Sequence, residues 1–73
     1  MNISEKEIYK IVGKRIKALR ENASLTQLDL AELCNMEKAN ISRIERGATN
    51  ITIKTLYKIS VSLNVTMYDI FKC

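Results

Sequence analysis

The sequence predicts an all-α fold, and three observations carry that reading. Apolar residues recur at helical spacing along most of the chain. Serine and threonine caps mark helix starts, several with an acidic residue three positions later. Strand signals are poor: Ile51-Thr52-Ile53 is β-branched but too short to carry a sheet. There is no proline, glycine occurs only at Gly13 and Gly47, and no linker, repeat or low-complexity stretch appears. One domain over residues 1–73 with short connections is the expected organisation.

The first helix starts at Ser4. With Glu7 three residues on, the spacing is that of a capping box, in which hydroxyl and carboxylate each cover the other residue's amide. Ile8, Ile11, Val12, Ile16 and Leu19 then form one stripe, with Lys10, Lys14, Lys17 and Glu21 on other faces, and the helix is expected to end near Asn22. Gly13, inside this helix, marks either close approach of another helix or simple tolerance. Thr26 and Asp29 open a second helix. Leu25 is placed to staple onto Leu30, and Leu30, Ala31, Leu33 and Cys34 are its expected buried side. Asn35 ends it, because asparagine tolerates the left-handed conformation.

The third helix covers roughly residues 38–46. Ile41 and Ile44 are its only large apolar residues, so it buries one narrow face and presents the rest. Gly47 follows as a C-terminal cap. Thr52 caps a fourth helix over residues 53–63, with Leu56, Ile59 and Leu63 facing inward, Tyr57 partly so, and Asn64 at its end. Thr66 with Asp69 caps a short fifth helix over residues 67–71.

A core of this size supplies only about 3–5 kcal/mol of net stability. Metal is not expected to add to it, since there is no histidine and the two cysteines, Cys34 and Cys73, lack ligand spacing. They make at most one bridge, and Cys73 sits at the terminus, where fraying is expected. Cys34 reads as a small core residue. The expectation is a reduced, cytoplasmic protein stabilised by a second copy of itself. No apolar run approaches the roughly 18 residues of a membrane span, and the N-terminus lacks a secretory pattern. The net charge of +4 favours a polyanionic partner, although basic surfaces are common on small proteins. No cofactor is expected. Without histidine, G-x-S-x-G, a glycine-rich phosphate loop or a metal cluster, neither is an enzyme.

Residues 25–47 combine features needed by two short helices that cross steeply. Ala31 is small where they touch, Asn35 makes the turn, and Met36, Ile41 and Ile44 fix the second helix against the first. The segment resembles the phage-repressor and Cro type of helix-turn-helix, also called the xenobiotic-response-element family. Leu25, Thr26, Gln27, Leu30, Ala31, Asn35, Met36, Ile41, Ser42, Ile44, Glu45 and Gly47 fall on that family's pattern. Two positions depart from it: Asn35 replaces a turn glycine, and Ile51 stands where proline often precedes the fourth helix. The likeness covers nearly the whole chain and implies a five-helix lambda-repressor-like DNA-binding domain whose second and third helices form the helix-turn-helix.

The resemblance implies roles for single residues. The family's glutamine at the Gln27 position binds a backbone phosphate, and amides at a helix start favour that. Thr26 is a phosphate candidate with a competing duty as cap. Base readers are expected at the front of the third helix: Glu37, Lys38, Ala39, Asn40 and Arg43. Lysine and arginine suit guanine, asparagine adenine, glutamate cytosine, and alanine a thymine methyl. Lys38 serves a base or a phosphate. Glu37 reads a base, favours the helix dipole, or repels phosphates and restricts the sites accepted. Arg46, Thr49 and Asn50 are expected along the phosphate backbone. Lys14, Lys17, Lys54 and Lys58 read as solvated faces. Glu45 and Arg20 are expected to pair and lock the first helix against the third.

Met67, Tyr68, Ile70 and Phe71 form an apolar cluster that serves either as a two-fold dimer interface or as core of one subunit. The expected function is a dimeric transcriptional regulator on double-stranded DNA with a pseudo-palindromic operator, similar to restriction–modification controller proteins and small phage regulators. No small-molecule effector is expected at this length. The alternative is a protein-interaction module, such as an antitoxin or an antagonist of a larger regulator.

Overall fold

A computed structural model describes residues 3–72, so the expectation for Cys73 lies outside the described residues. Five helices follow in order: α1 (Glu5–Asn22), α2 (Gln27–Leu33), α3 (Lys38–Glu45), α4 (Ile53–Leu63) and α5 (Met67–Phe71). No strand occurs among the described residues.

Four of the five helix starts follow from hydroxyl caps. Thr26 and Thr66 each accept the amide of an aspartate three residues on, and the Asp29 and Asp69 carboxylates in turn accept the cap amide at 2.9 Å. Thr52 accepts the Thr55 amide at 3.1 Å. At Ser4 only half of the expected box forms. The hydroxyl takes the Glu7 amide at 3.2 Å, but the return bond from the Glu7 carboxylate is not made.

The ends of the first four helices share one device. Ser24, Asn35, Gly47 and Asn64 adopt left-handed conformations with φ between 54° and 71°. In each case the next residue donates its amide five residues back: Leu25 to Arg20, Met36 to Ala31, Ala48 to Arg43, and Val65 to Ser60, at 2.8 to 3.2 Å. This Schellman closure satisfies carbonyls a helix end leaves open, and it turns the following side chain inward. Leu25, Met36 and Val65 accordingly pack on the core.

That core combines Val12 and Ile16 of α1, Leu30, Ala31 and Cys34 at α2, Ile41 and Ile44 of α3, Leu56, Ile59 and Leu63 of α4, and Ile70 of α5. Among the described residues no buried side-chain polar atom lacks a partner. Several expectations are corrected. Ile8 and Ile11 are exposed; Ile11 stands about 140° around the helix axis from Ile16, because five residues at about 100° each overshoot one turn. Leu33 and Tyr57 are exposed too, each rotated about 100° from its buried neighbour, Cys34 or Leu56. Ile70 is 1% exposed, so it belongs to the core of its own subunit rather than to an outward apolar cluster. Arg15, which carried no expectation, donates from Nε to the Asp69 carbonyl at 2.8 Å and ties α1 to α5.

The two readings of Gly13 are resolved in favour of close approach. A Cβ there would lie 2.3 Å from the Ile44 carbonyl oxygen and 2.7 Å from that of Glu45. Both are backbone atoms, so α1 and α3 must separate to admit even a methyl group. Gly13→Ala is expected to lower stability by about 1–3 kcal/mol despite alanine's better helix propensity; urea unfolding checks this, and a stabilised variant would contradict the contact.

The capping boxes set a pH dependence. Hydrogen bonds from the Thr26 and Thr66 amides, then from their hydroxyls, hold the Asp29 and Asp69 carboxyls below their ordinary 3.8. A depressed folded-state pKa contributes stability above the unfolded value, and that contribution is lost as pH falls through the folded value. The melting temperature is therefore expected to fall as pH drops below about 4, with a shallower fall in Asp29→Asn/Asp69→Asn, measured by circular dichroism.

Candidate nucleic-acid interface

The scaffold of the site is a polar knot between α1, α2 and α3. Arg20 donates from Nε to Glu45 Oε2 at 2.6 Å and from Nη2 to Glu45 Oε1 at 3.0 Å. Its Nη1 reaches the Leu25 carbonyl at 2.7 Å, at the turn into α2. The Gln27 amide donates to Glu45 Oε1 at 3.0 Å. Arg20 and Glu45 are 7% and 6% exposed, so both charges are taken from water and answered at close range. The Glu45 bond holds the Arg20 guanidinium above its ordinary pKa and outweighs the opposing effect of burial. Truncating either partner strands the other, at a cost of about 3–5 kcal/mol.

This knot sets α3 against the body with one side free. Ile41 and Ile44 are buried. Ala39 and Arg43 each stand two residues from Ile41, about 160° around the axis from it, and both are exposed. The centre of the outward face is therefore a small side chain beside a long cation. Lys38, the first residue of α3, is exposed on one flank, and half-buried Asn40 occupies the other. The Asn40 side-chain oxygen accepts a hydrogen bond from Arg43 Nη2. Glu37 is the N-cap of α3 but makes no side-chain cap bond, unlike the hydroxyl caps of the other four helices. Its exposed carboxylate points to no internal duty.

The loop after α3 runs beside this face. Arg46 is exposed at the end of α3, and Thr49 and Asn50 follow, with a Thr49 hydroxyl bond to the Asn50 carbonyl at 3.4 Å. Asn40, Thr49, Asn50, Thr52 and Thr55 line a shallow cleft floored by Met36, Ile44 and Ile51. The structure thus gathers Lys38, Ala39, Asn40 and Arg43 on one helix, with Arg46, Thr49 and Asn50 adjoining. Gln27 and Thr26 stand at the start of α2, where Thr26 is engaged as a cap.

Two features of the site were not read from the sequence. The Asn40–Arg43 pairing had a signal, since residues three apart on a helix are neighbours. The Gln27–Glu45 bond had none, being 18 residues apart.

A short helix held by its apolar side with polar residues outward, preceded by a second helix across a tight turn, defines a helix-turn-helix DNA-binding protein. Residues 16–70 match the helix-turn-helix family HTH_3, and the chain belongs to that family. It is 39% identical over 54 residues to the immunity repressor of Bacillus phage phi105, covering 74% of this chain and 38% of that repressor. It is 33% identical over 60 residues to the control protein C.MunI of Mycoplasma sp, covering 81% of each. The fold matches the restriction–modification controller protein C.AhdI from Aeromonas hydrophila with a TM-score of 0.85 at 25% identity, over 88% of this chain and 97% of that one.

Because Asn40 orients the Arg43 guanidinium, the two should not act independently on DNA. In a double-mutant cycle of Asn40→Ala and Arg43→Ala, the losses in binding free energy are expected to sum to at least about 0.5 kcal/mol more than the loss in the double variant. Additive losses would show that the pair does not persist on DNA.

Proposed function

We propose that this chain is a transcriptional regulator that binds double-stranded DNA as a homodimer on a pseudo-palindromic operator. The observation that carries the reading is the outward face of α3, Ala39 and Arg43 flanked by Lys38 and Asn40, on a helix anchored by Glu45. Arg43 and Lys38 read guanines, Asn40 an adenine edge, and Ala39 lets the helix approach a thymine methyl. Glu37 meets a cytosine or rejects sites that bring a phosphate near it. Gln27, one amide hydrogen held by Glu45, turns the other toward a phosphate, and Thr26, Arg46, Thr49 and Asn50 flank the same strand.

The dimer forms through the α4–α5 region. Ile53, Tyr57 and Val61 recur every four residues on the outer side of α4, and each is at least 59% exposed. Leu33 adjoins Tyr57 and Val61 across a shared cleft. Tyr68 and Phe71 add exposed aromatic surface from α5 and Met67 a half-buried margin, while Ile70 stays in its own core. Two recognition helices set about 34 Å apart would then meet successive major grooves. Such a protein works in the cytoplasm; no helix of the described residues is long and apolar enough to cross a membrane.

The decisive measurement is selection of bound sites from random DNA, followed by affinity against salt. A half-site repeated with two-fold symmetry and a steep loss of affinity with rising salt are expected. Gln27→Ala should weaken all sites about equally and Arg43→Ala should relax one base position at about 1–3 kcal/mol. Weak binding at low salt would favour a protein-interaction module instead. In sedimentation, Tyr57→Asp and Phe71→Asp should each shift the protein toward monomer, and persistent dimers in both would move the interface off α4 and α5.

A further inference from the structure

We propose that the groove between α1 and α5 docks a short acidic segment of a partner protein, with apolar anchors seated in its floor. The groove holds about 290 Å³ and is lined by Ile11, Lys14, Arg15, Ala18, Ile70 and Lys72. Its floor is aliphatic: Ile70 closes it, Ala18 leaves it open, and Ile11 offers exposed apolar surface that the fold does not cover. Its rim carries one sign of charge, from Lys14, Arg15 and Lys72. Arg15 is fixed beside the groove by its bond to the Asp69 carbonyl. Asp69, the one carboxylate of α5, accepts the Thr66 amide and lies close enough to Lys72 and Arg15 to attract both, so it offsets part of the rim charge and leaves Lys14 the cation it does not reach. On α1, Glu7 and Glu21 lie about a turn beyond Ile11 and Ala18.

An aliphatic floor inside a cationic rim complements a segment whose carboxylates flank aliphatic or aromatic side chains. The groove also faces away from the DNA site. Ile11 and Ala18 lie about 160° and 140° around α1 from Gly13, the residue that touches α3. A duplex held by α3 therefore leaves the groove open, and the partner would be recruited to the DNA-bound protein. This surface is separate from the α3 face and from the outer side of α4 but shares α5 with the proposed dimer interface, so sedimentation of each variant, showing the dimer kept, separates a failure of this proposal from a failure of the regulator reading.

The test is fluorescence anisotropy of the full chain with a fluorescein-labelled synthetic peptide of glutamates with leucine and phenylalanine at helical spacing. Saturable binding is expected, undiminished by excess duplex DNA. Lys14→Glu/Lys72→Glu and the floor-filling Ala18→Glu should each weaken it by about tenfold or more, whereas Lys54→Glu/Lys58→Glu, an equal change of charge on α4, should leave it within about twofold. Thermal melts of each variant confirm the fold. Equal losses in the two charge-reversed pairs would reduce the effect to net charge and overturn the proposal. Displacement by duplex would place the peptide on the α3 face, and absence of binding would leave the groove without this ligand; either result overturns it.

Discussion

The Arg20–Glu45 pair is the constraint on which the rest of the molecule depends. Removing two charges from water is costly, and attraction between them repays that only when the remaining donors and acceptors are also satisfied. Here every nitrogen and oxygen of the pair has a partner: the guanidinium makes two bonds to the carboxylate and a third to the Leu25 carbonyl, and the carboxylate also accepts the Gln27 amide. One buried cluster thereby ties the end of α1, the turn into α2, the first residue of α2 and the last residue of α3. An apolar pair of similar size would fill the same space but would not orient Gln27. The cluster's value lies in geometry at the surface as much as in stability.

The backbone contact at Gly13 completes this arrangement from two turns away. The Arg20 side chain leans toward the N-terminus of its helix, as helical side chains do, and meets Glu45 there. Gly13 lets the Ile44 and Glu45 carbonyls approach α1 directly. A small residue and a long one on the same helix thus serve the same contact, one by removing an obstacle and the other by reaching across. The outward side of α3 is the geometric remainder of this fixation.

Most of the fold was legible because its signals are local. Hydroxyl caps at Thr26, Thr52 and Thr66, and left-handed turns at Asn35, Gly47 and Asn64, are matters of a few neighbouring residues, and the boundaries of α4 and α5 followed from them. Ser24 adopts the same turn without a residue type that announces it. Burial was less legible where an apolar residue sits off the inward line, as at Ile8, Ile11, Leu33 and Tyr57, since the sequence does not say how wide a stripe its neighbours cover. The choice at Ile70 between core and interface was likewise open, because it turns on where α5 docks. At the candidate site, the residue types on α3 and the Arg20–Glu45 pairing were read through family resemblance. The bonds from Glu45 to Gln27 and from Arg43 to Asn40 needed coordinates.

The four left-handed turns also bear on how the chain reaches its native state. Each closes within six residues, before any contact between distant helices is required. Loop closure on that scale takes tens of nanoseconds, and helical proteins dominated by local contacts fold in about microseconds to milliseconds. With no proline, slow prolyl isomerisation does not intervene. A chain built this way is thus expected to fold within milliseconds and without a slow phase.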